Sequence, residues 1–139
     1  MKTSIEIANL TKKRIDPKYI RKIVRKTAKL AEVNLSSLGI SVVFVCEAEI
    51  RKLNREYRKK NKSTDVLSFN LVSGYNKVGK VLEGELVLCP VAIAKNAREN
   101  KVHFSRELSF VLAHGMLHVL GWRHGKKMYA LQDKVSSEL

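Results

Sequence analysis

Three of the chain's four histidines, His114, His118 and His124, fall within eleven residues around one glycine, Gly121, and that spacing constrains the fold more than any other feature. Residues 105–120 read as a helix, and on a helix residues four apart stand about one turn from each other on the same face. Gly121 supplies the left-handed position on which helices commonly end. The three imidazoles can meet only if a helix carries the first two, stops at the glycine, and lets the chain return with the third.

The rest of the chain reads as elements able to support such a helix. Ile5 and Ile7 alternate with polar neighbours and predict a first strand. Asp16-Pro17 is a helix start, a capping side chain followed by proline at the first helical position. Ile20, Ile23, Val24, Thr27, Ala28 and Ala31 then recur at helical spacing. Residues 40–45 are β-branched and aromatic, the composition of a buried strand. Helical period returns over 47–57 through Ile50, Leu53 and Tyr57. Val66, Leu67 and Phe69 predict a third strand with a turn at 73–76, and residues 86–89 a fourth that stops at Pro90. Helices are expected over 91–99, 105–120 and 126–136. The order β-α-β-α-β-β-α-α-α predicts one α/β (α+β) domain over residues 1–139, a mixed sheet of about four strands packed with helices. No repeat or linker argues for a second domain, and 139 residues suffice for one core.

The longest apolar run, residues 40–46, is interrupted only by Ser41 and falls far short of the ~20 residues that cross a bilayer. With no signal-peptide stretch at the N-terminus, a cytoplasmic protein without a membrane role is expected. Cys46 and Cys89 each close an apolar run and are expected to be small buried hydrophobes rather than a disulfide. Lys and Arg number 27 against 13 acids, a net charge of +14. Self-repulsion on that scale destabilises a compact state, so a polyanionic partner is the natural explanation, nucleic acid first. A basic protein whose charges are merely solvated is the alternative.

Three neutral imidazoles with no fourth histidine or cysteine nearby describe an open metal site. Catalytic zinc keeps three protein ligands and leaves a fourth position for water or substrate. One zinc ion is therefore expected at His114, His118 and His124, other divalent transition metals remaining possible. His103 lies off this set and reads as a surface or capping residue. Zinc peptidases of the H-E-x-x-H type place a glutamate base directly after the first histidine, where this chain has Gly115. Glu107, the one acid on that helix face, lies seven residues earlier, roughly 10 Å along the axis.

Residues 114–124, His114-Gly115-Met116-Leu117-His118-Val119-Leu120-Gly121-Trp122-Arg123-His124, resemble the signature H-G-x-L-H-L-x-G-Y-D-H of the bacterial YbeY family. Leu53-Asn54-Arg55-Glu56-Tyr57-Arg58 and Thr64-Asp65-Val66-Leu67-Ser68-Phe69 are similar to its L-N-x-x-Y-R and T-D-V-L-S-F. Gly84-Glu85-Leu86-Val87-Leu88 and Arg106-Glu107-Leu108 follow in the family's order. The resemblance implies a zincin-like fold and a metal-dependent endoribonuclease acting on single-stranded RNA. It further implies a part in maturing the 3′ end of small-subunit ribosomal RNA and in ribosome quality control, with the small subunit or its assembly factors as partners. It carries the zinc ligands over to His114, His118 and His124 and a conserved arginine to Arg58. Two departures stand out: Trp122-Arg123 replaces Tyr-Asp before the third histidine, and Asn70-Leu71 replaces a proline-containing continuation after Phe69.

The expected chemistry is phosphodiester cleavage, with His114 and Arg58 catalytic. Arg58 would clamp the phosphate with its planar fork of donors. Arg58, Lys59 and Lys60, in a loop that carries four positive charges over residues 58–62, would bind the RNA backbone. Arg123 removes a carboxylate beside the metal and would itself bind a substrate phosphate. Two other readings stay open: a zinc hydrolase of peptides or small substrates, and a non-catalytic RNA- or ribosome-binding factor with a structural metal.

Overall fold

Three of the four strands run parallel, so their connections must be helices that also cover the sheet. The computed structural model describes residues 2–32, 36–71 and 81–139. Its elements are β1 (Lys2–Asn9), α1 (Pro17–Leu30), β2 (Ser37–Phe44), α2 (Glu47–Arg58), β3 (Val66–Asn70), β4 (Val81–Leu88), α3 (Pro90–Asn100), α4 (Phe104–Val119) and α5 (Lys126–Ser137). The sheet order is β1-β2-β4-β3. β1, β2 and β4 are parallel, and β3 joins the edge antiparallel to β4. The mixed four-stranded sheet and the order of elements match the sequence reading. The turn expected at 73–76 lies outside the described residues.

One face of the sheet carries Leu38, Ile40, Val42 and Phe44 of β2 with Leu82, Leu86 and Leu88 of β4, all buried. They pack against Ile20, Ile23 and Val24 of α1 and Leu112, Met116 and Val119 of α4, with Met128 and Val135 of α5 in the same cluster. α1 begins as the sequence indicates: the Asp16 side chain accepts from the Lys18 amide at 3.0 Å. The opposite face is a smaller cluster of Val45, Leu67, Val87 and Cys89 under Ile50 of α2.

α4 lies unusually close to the sheet because two residues lack side chains. A Cβ on Gly84 of β4 would stand 2.5 Å from Val119 Cγ1, and one on Gly115 of α4 would meet Leu86 Cδ2 at 2.9 Å. Ser68 of β3 reinforces the approach, its hydroxyl donating to the Gly115 carbonyl at 3.2 Å. This packing explains why no glutamate follows the first histidine. Position 115 faces β3 and β4, with no room for a side chain as long as glutamate.

Two expectations are corrected. Cys89 is buried, but Cys46 is exposed. It is the N-cap of α2, its carbonyl accepting from the Ile50 amide, and the apolar run ends one residue before it. Tyr57 does not share the buried face of Ile50. It is 62% exposed and meets Phe69 of β3 edge-on, ring centroids 5.3 Å apart.

Candidate metal centre

α4 delivers His114 and His118 from one face, and its C-terminus delivers His124. Trp122 N–H donates to Leu117 O at 2.9 Å and Gly121 N–H to His118 O at 3.0 Å. Gly121 has φ 92, so the helix closes in the paired hydrogen bonds of a Schellman stop, which needs a left-handed residue at this position. The reversed chain brings His124 Nε2 to 3.2 Å from both His114 Nε2 and His118 Nε2, which are themselves 3.0 Å apart. An ion held tetrahedrally at ~2.0–2.1 Å by three nitrogens needs them roughly 3.3 Å apart. The triangle is close to that size, and the three residues lie close enough to bind a metal.

The surroundings favour the neutral form of two of these rings. Burial lowers the His114 pKa, and the charge of His124 adds to that, while hydrogen bonding to Gln132 and the Asp65 carboxylate oppose it. Burial likewise lowers His118, followed by the charges of His114 and His124, with Arg58 contributing in the same direction. Imidazole nitrogens that converge on one point could hold a cation when the rings are neutral. His103 stands apart, exposed at the N-cap of α4 with no side-chain capping bond.

The three histidines open into a cleft of ≈ 810 Å³ between α4 and the segment joining α2 to β3. Arg58, Lys60 and Lys62 line it, as do Asp65 and Ser68. Arg58 is the last residue of α2 and Lys59 its left-handed cap, φ 60. The Arg58 guanidinium donates to Ser68 O at 2.7 Å and lies 5.8 Å from the Phe69 ring centre. Asn54, 3% exposed, ties down the basic loop by donating to Lys62 O at 2.9 Å. Arg58, Lys60, His114, His118 and His124 are thus brought together, whereas Lys59 and Arg123 do not line the cleft.

Three residues of the site, Asn54, Asp65 and Gln132, were not singled out from the sequence, and Glu107 was noted there only as the acid seven residues before His114. Asp65 and Glu107 are the cleft's acids. Asp65 accepts from Asn96 at 3.3 Å, and Glu107, 8% exposed, accepts from Asn100 at 3.1 Å. Asn54, Asp65 and Glu107 each lie within one of the family-like motifs, which was the available signal. Gln132 of α5, fully buried, lies 3.4 Å from His114 Nδ1 through its Oε1. Its only sequence signal is a carboxamide on the stripe shared by Met128 and Val135.

Comparison with known proteins agrees with this fold. The family described as Endoribonuclease YbeY matches residues 6–139. A protein named Endoribonuclease YbeY from Thermodesulfovibrio yellowstonii is 34% identical, covering 100% of this chain and 99% of that one. One of the same name from Syntrophus aciditrophicus is 35% identical over 89% of this chain and 78% of the other. Among solved structures, the solution structure of TM1509 from Thermotoga maritima superposes with a TM-score of 0.65 at 31% identity, covering 96% of this chain and 87% of that one.

Proposed function

Because the chain belongs to the YbeY endoribonuclease family, we propose that it is a zinc-dependent enzyme that cuts single-stranded RNA in the cytoplasm. Its substrate in this reading is ribosomal RNA, at the 3′ end of the small-subunit species, with the small subunit or its assembly factors as partners. The observation that carries the proposal is the placement of three converging histidine nitrogens in one cleft with Arg58 and Lys60.

When bound at His114, His118 and His124, a zinc-type ion supplies Lewis-acid polarisation of a phosphoryl oxygen or of water. The chain's own groups do the rest. Arg58, oriented by its bond to Ser68 O, grips the scissile phosphate and stabilises the charge that builds on its oxygens. Lys60 and Lys62 hold the adjacent backbone. Asp65, whose charge is felt at His114, is the carboxylate assigned to receive the proton of the attacking group. Lys59 and Arg123, exposed and outside the cleft lining, meet phosphates only beyond it.

The alternatives lose support on specific grounds. The glutamate base of a zinc peptidase has no space at Gly115. The loss of the family's acid at Arg123 leaves Asp65 and Glu107 in the cleft, so a non-catalytic factor is the weaker reading. The test is cleavage of a labelled single-stranded RNA by zinc-loaded protein, beside His114→Ala, Arg58→Ala and chelator-treated samples. Cutting that requires metal and is lost in both variants supports the proposal. Folded, zinc-loaded protein that binds RNA without cutting it sinks the enzyme reading in favour of a binding factor.

A further inference from the structure

α1 carries six cations, Lys18, Arg21, Lys22, Arg25, Lys26 and Lys29, and no acid. Lys18, Lys22, Arg25 and Lys29 recur every three or four residues and so form one straight ladder on the helix surface, roughly 16 Å long. They and Lys26 line a shallow recess of ≈ 350 Å³ in which, among the described residues, every lining side chain is cationic. None of these residues lines the histidine cleft. Among the described residues the one acid within ion-pair distance of this surface is Glu138, 3.4 Å from Lys26.

Ordinary solvated helix faces mix signs, because like charges four apart repel. Lys18 with Lys22, Arg21 with Arg25, Lys22 with Lys26, and Arg25 with Lys29 are all such like pairs. Lys18 also sits in the first turn, where the helix dipole disfavours a cation. The arrangement therefore disfavours the free protein, and an anion with several regularly spaced charges lying along it relieves the repulsion. The buried side of the same helix is fully committed to the core through Ile20, Ile23, Val24, Thr27 and Ala28. Its outer side is thus free to differ without cost to packing.

We propose that the exposed face of α1 is a second RNA-docking surface, which binds the sugar–phosphate backbone of the substrate outside the segment that enters the cleft. This rests on the ribonuclease reading for the identity of the polyanion. A ladder of point charges without interleaved aromatic side chains reads phosphates and not bases. The surface therefore adds affinity and positions a long substrate without selecting its sequence, while the cleft selects the bond that is cut.

The experiment replaces Lys18, Lys22, Arg25 and Lys29 together with glutamine; all four are exposed. A control replaces four exposed lysines elsewhere, Lys2, Lys12, Lys52 and Lys95, with glutamine, so that the net charge is equal. Two probes are used: a long RNA with a stem beside a single-stranded stretch, and a short single-stranded oligonucleotide that the cleft alone can hold. For the α1 variant, affinity for the long RNA is expected to fall about tenfold or more. Its slope of log K against log salt is expected to flatten by about 3, at ~0.7–0.9 for each phosphate that is no longer neutralised. Cleavage of the short RNA should be unchanged, and the control should keep the wild-type slope.

An α1 variant with the wild-type slope overturns the proposal. So does equal weakening in the control, which would mark a general field effect, or loss of binding to anionic phospholipid vesicles with RNA binding intact. Cutting of the short RNA by the wild type separates the two readings. If the wild type never cuts but the α1 variant still loses long-RNA binding, the ribonuclease assignment fails and the docking surface stands.

Discussion

Gln132 and His114 are joined across two helices: the carboxamide Oε1 lies 3.4 Å from Nδ1, and the same carboxamide donates from Nε2 to Phe110 O at 3.3 Å. The second bond fixes which end of the amide faces the imidazole. An oxygen there accepts the Nδ1 proton, which leaves Nε2 bare and aimed at the other two histidines. Replacing Gln132 with leucine keeps the volume and removes the acceptor. Zinc affinity, measured by competition with a chelator, should fall about 10–100-fold, while Gln132→Glu should retain it. Wild-type zinc affinity in Gln132→Leu would show that packing alone orients the ring.

Protonation works against the same site. The pKa values of His114 and His118 are lowered by burial from the ordinary 6.5. Above 6.5 both rings are neutral in folded and unfolded chains alike. As pH falls below 6.5 the unfolded chain takes up protons that the folded protein resists, so the stability present above that value is progressively lost. Metal-free protein should therefore melt at lower temperature as pH drops from neutral into the mildly acidic range. The double variant His114→Ala, His118→Ala should show a shallower decline. Equal slopes for the two proteins would remove the histidines as the cause.

The close seat of α4 on the sheet makes its own prediction. Gly84→Ala drives a Cβ to 2.5 Å from Val119 Cγ1 and 3.3 Å from the Phe69 carbonyl, and should cost about 1–3 kcal/mol by overpacking. Gly115→Ala meets side-chain atoms at 2.9–3.1 Å, and alanine regains ~1 kcal/mol of helix propensity. Its loss should be the smaller of the two. Urea midpoints would decide the order, and a stabilised Gly84→Ala would contradict this packing.

The histidine triad and α1 were legible in the sequence because each is encoded locally. Four-residue spacing, a glycine stop and an aspartate cap need no distant partner to be read. Cys46 and Tyr57 were misread because burial depends on where an element meets its neighbours. Two residues past the end of β2, or two turns past Ile50 along α2, the side chain is no longer covered. Gln132 was illegible for a related reason: its partner, His114, is eighteen residues away on another helix. A glutamine on an apolar stripe reads the same whether it meets an imidazole or a gap. The cleft's carboxylates were visible inside motifs, but only the fold shows that Asp65 and Glu107 line the same cleft as the histidines while Arg123 does not.

Arg58 offers the sharpest test of the proposed chemistry. Its guanidinium already donates to Ser68 O at 2.7 Å, and the planar fork has further donors for a phosphate. Lysine keeps the charge but not the fork, and a single ammonium on a flexible stem cannot hold both partners in fixed geometry. Arg58→Lys should therefore lower kcat for RNA cleavage about 100-fold or more, nearly as much as Arg58→Ala. KM should rise far less, since Lys60 and Lys62 still hold the backbone. Zinc content and melting temperature should stay near wild type, because Arg58 is exposed and touches no ligand nitrogen. If Arg58→Lys restores most of the activity lost in Arg58→Ala, the residue acts as a point charge that attracts RNA, and stabilisation of the transition state must come from elsewhere in the cleft.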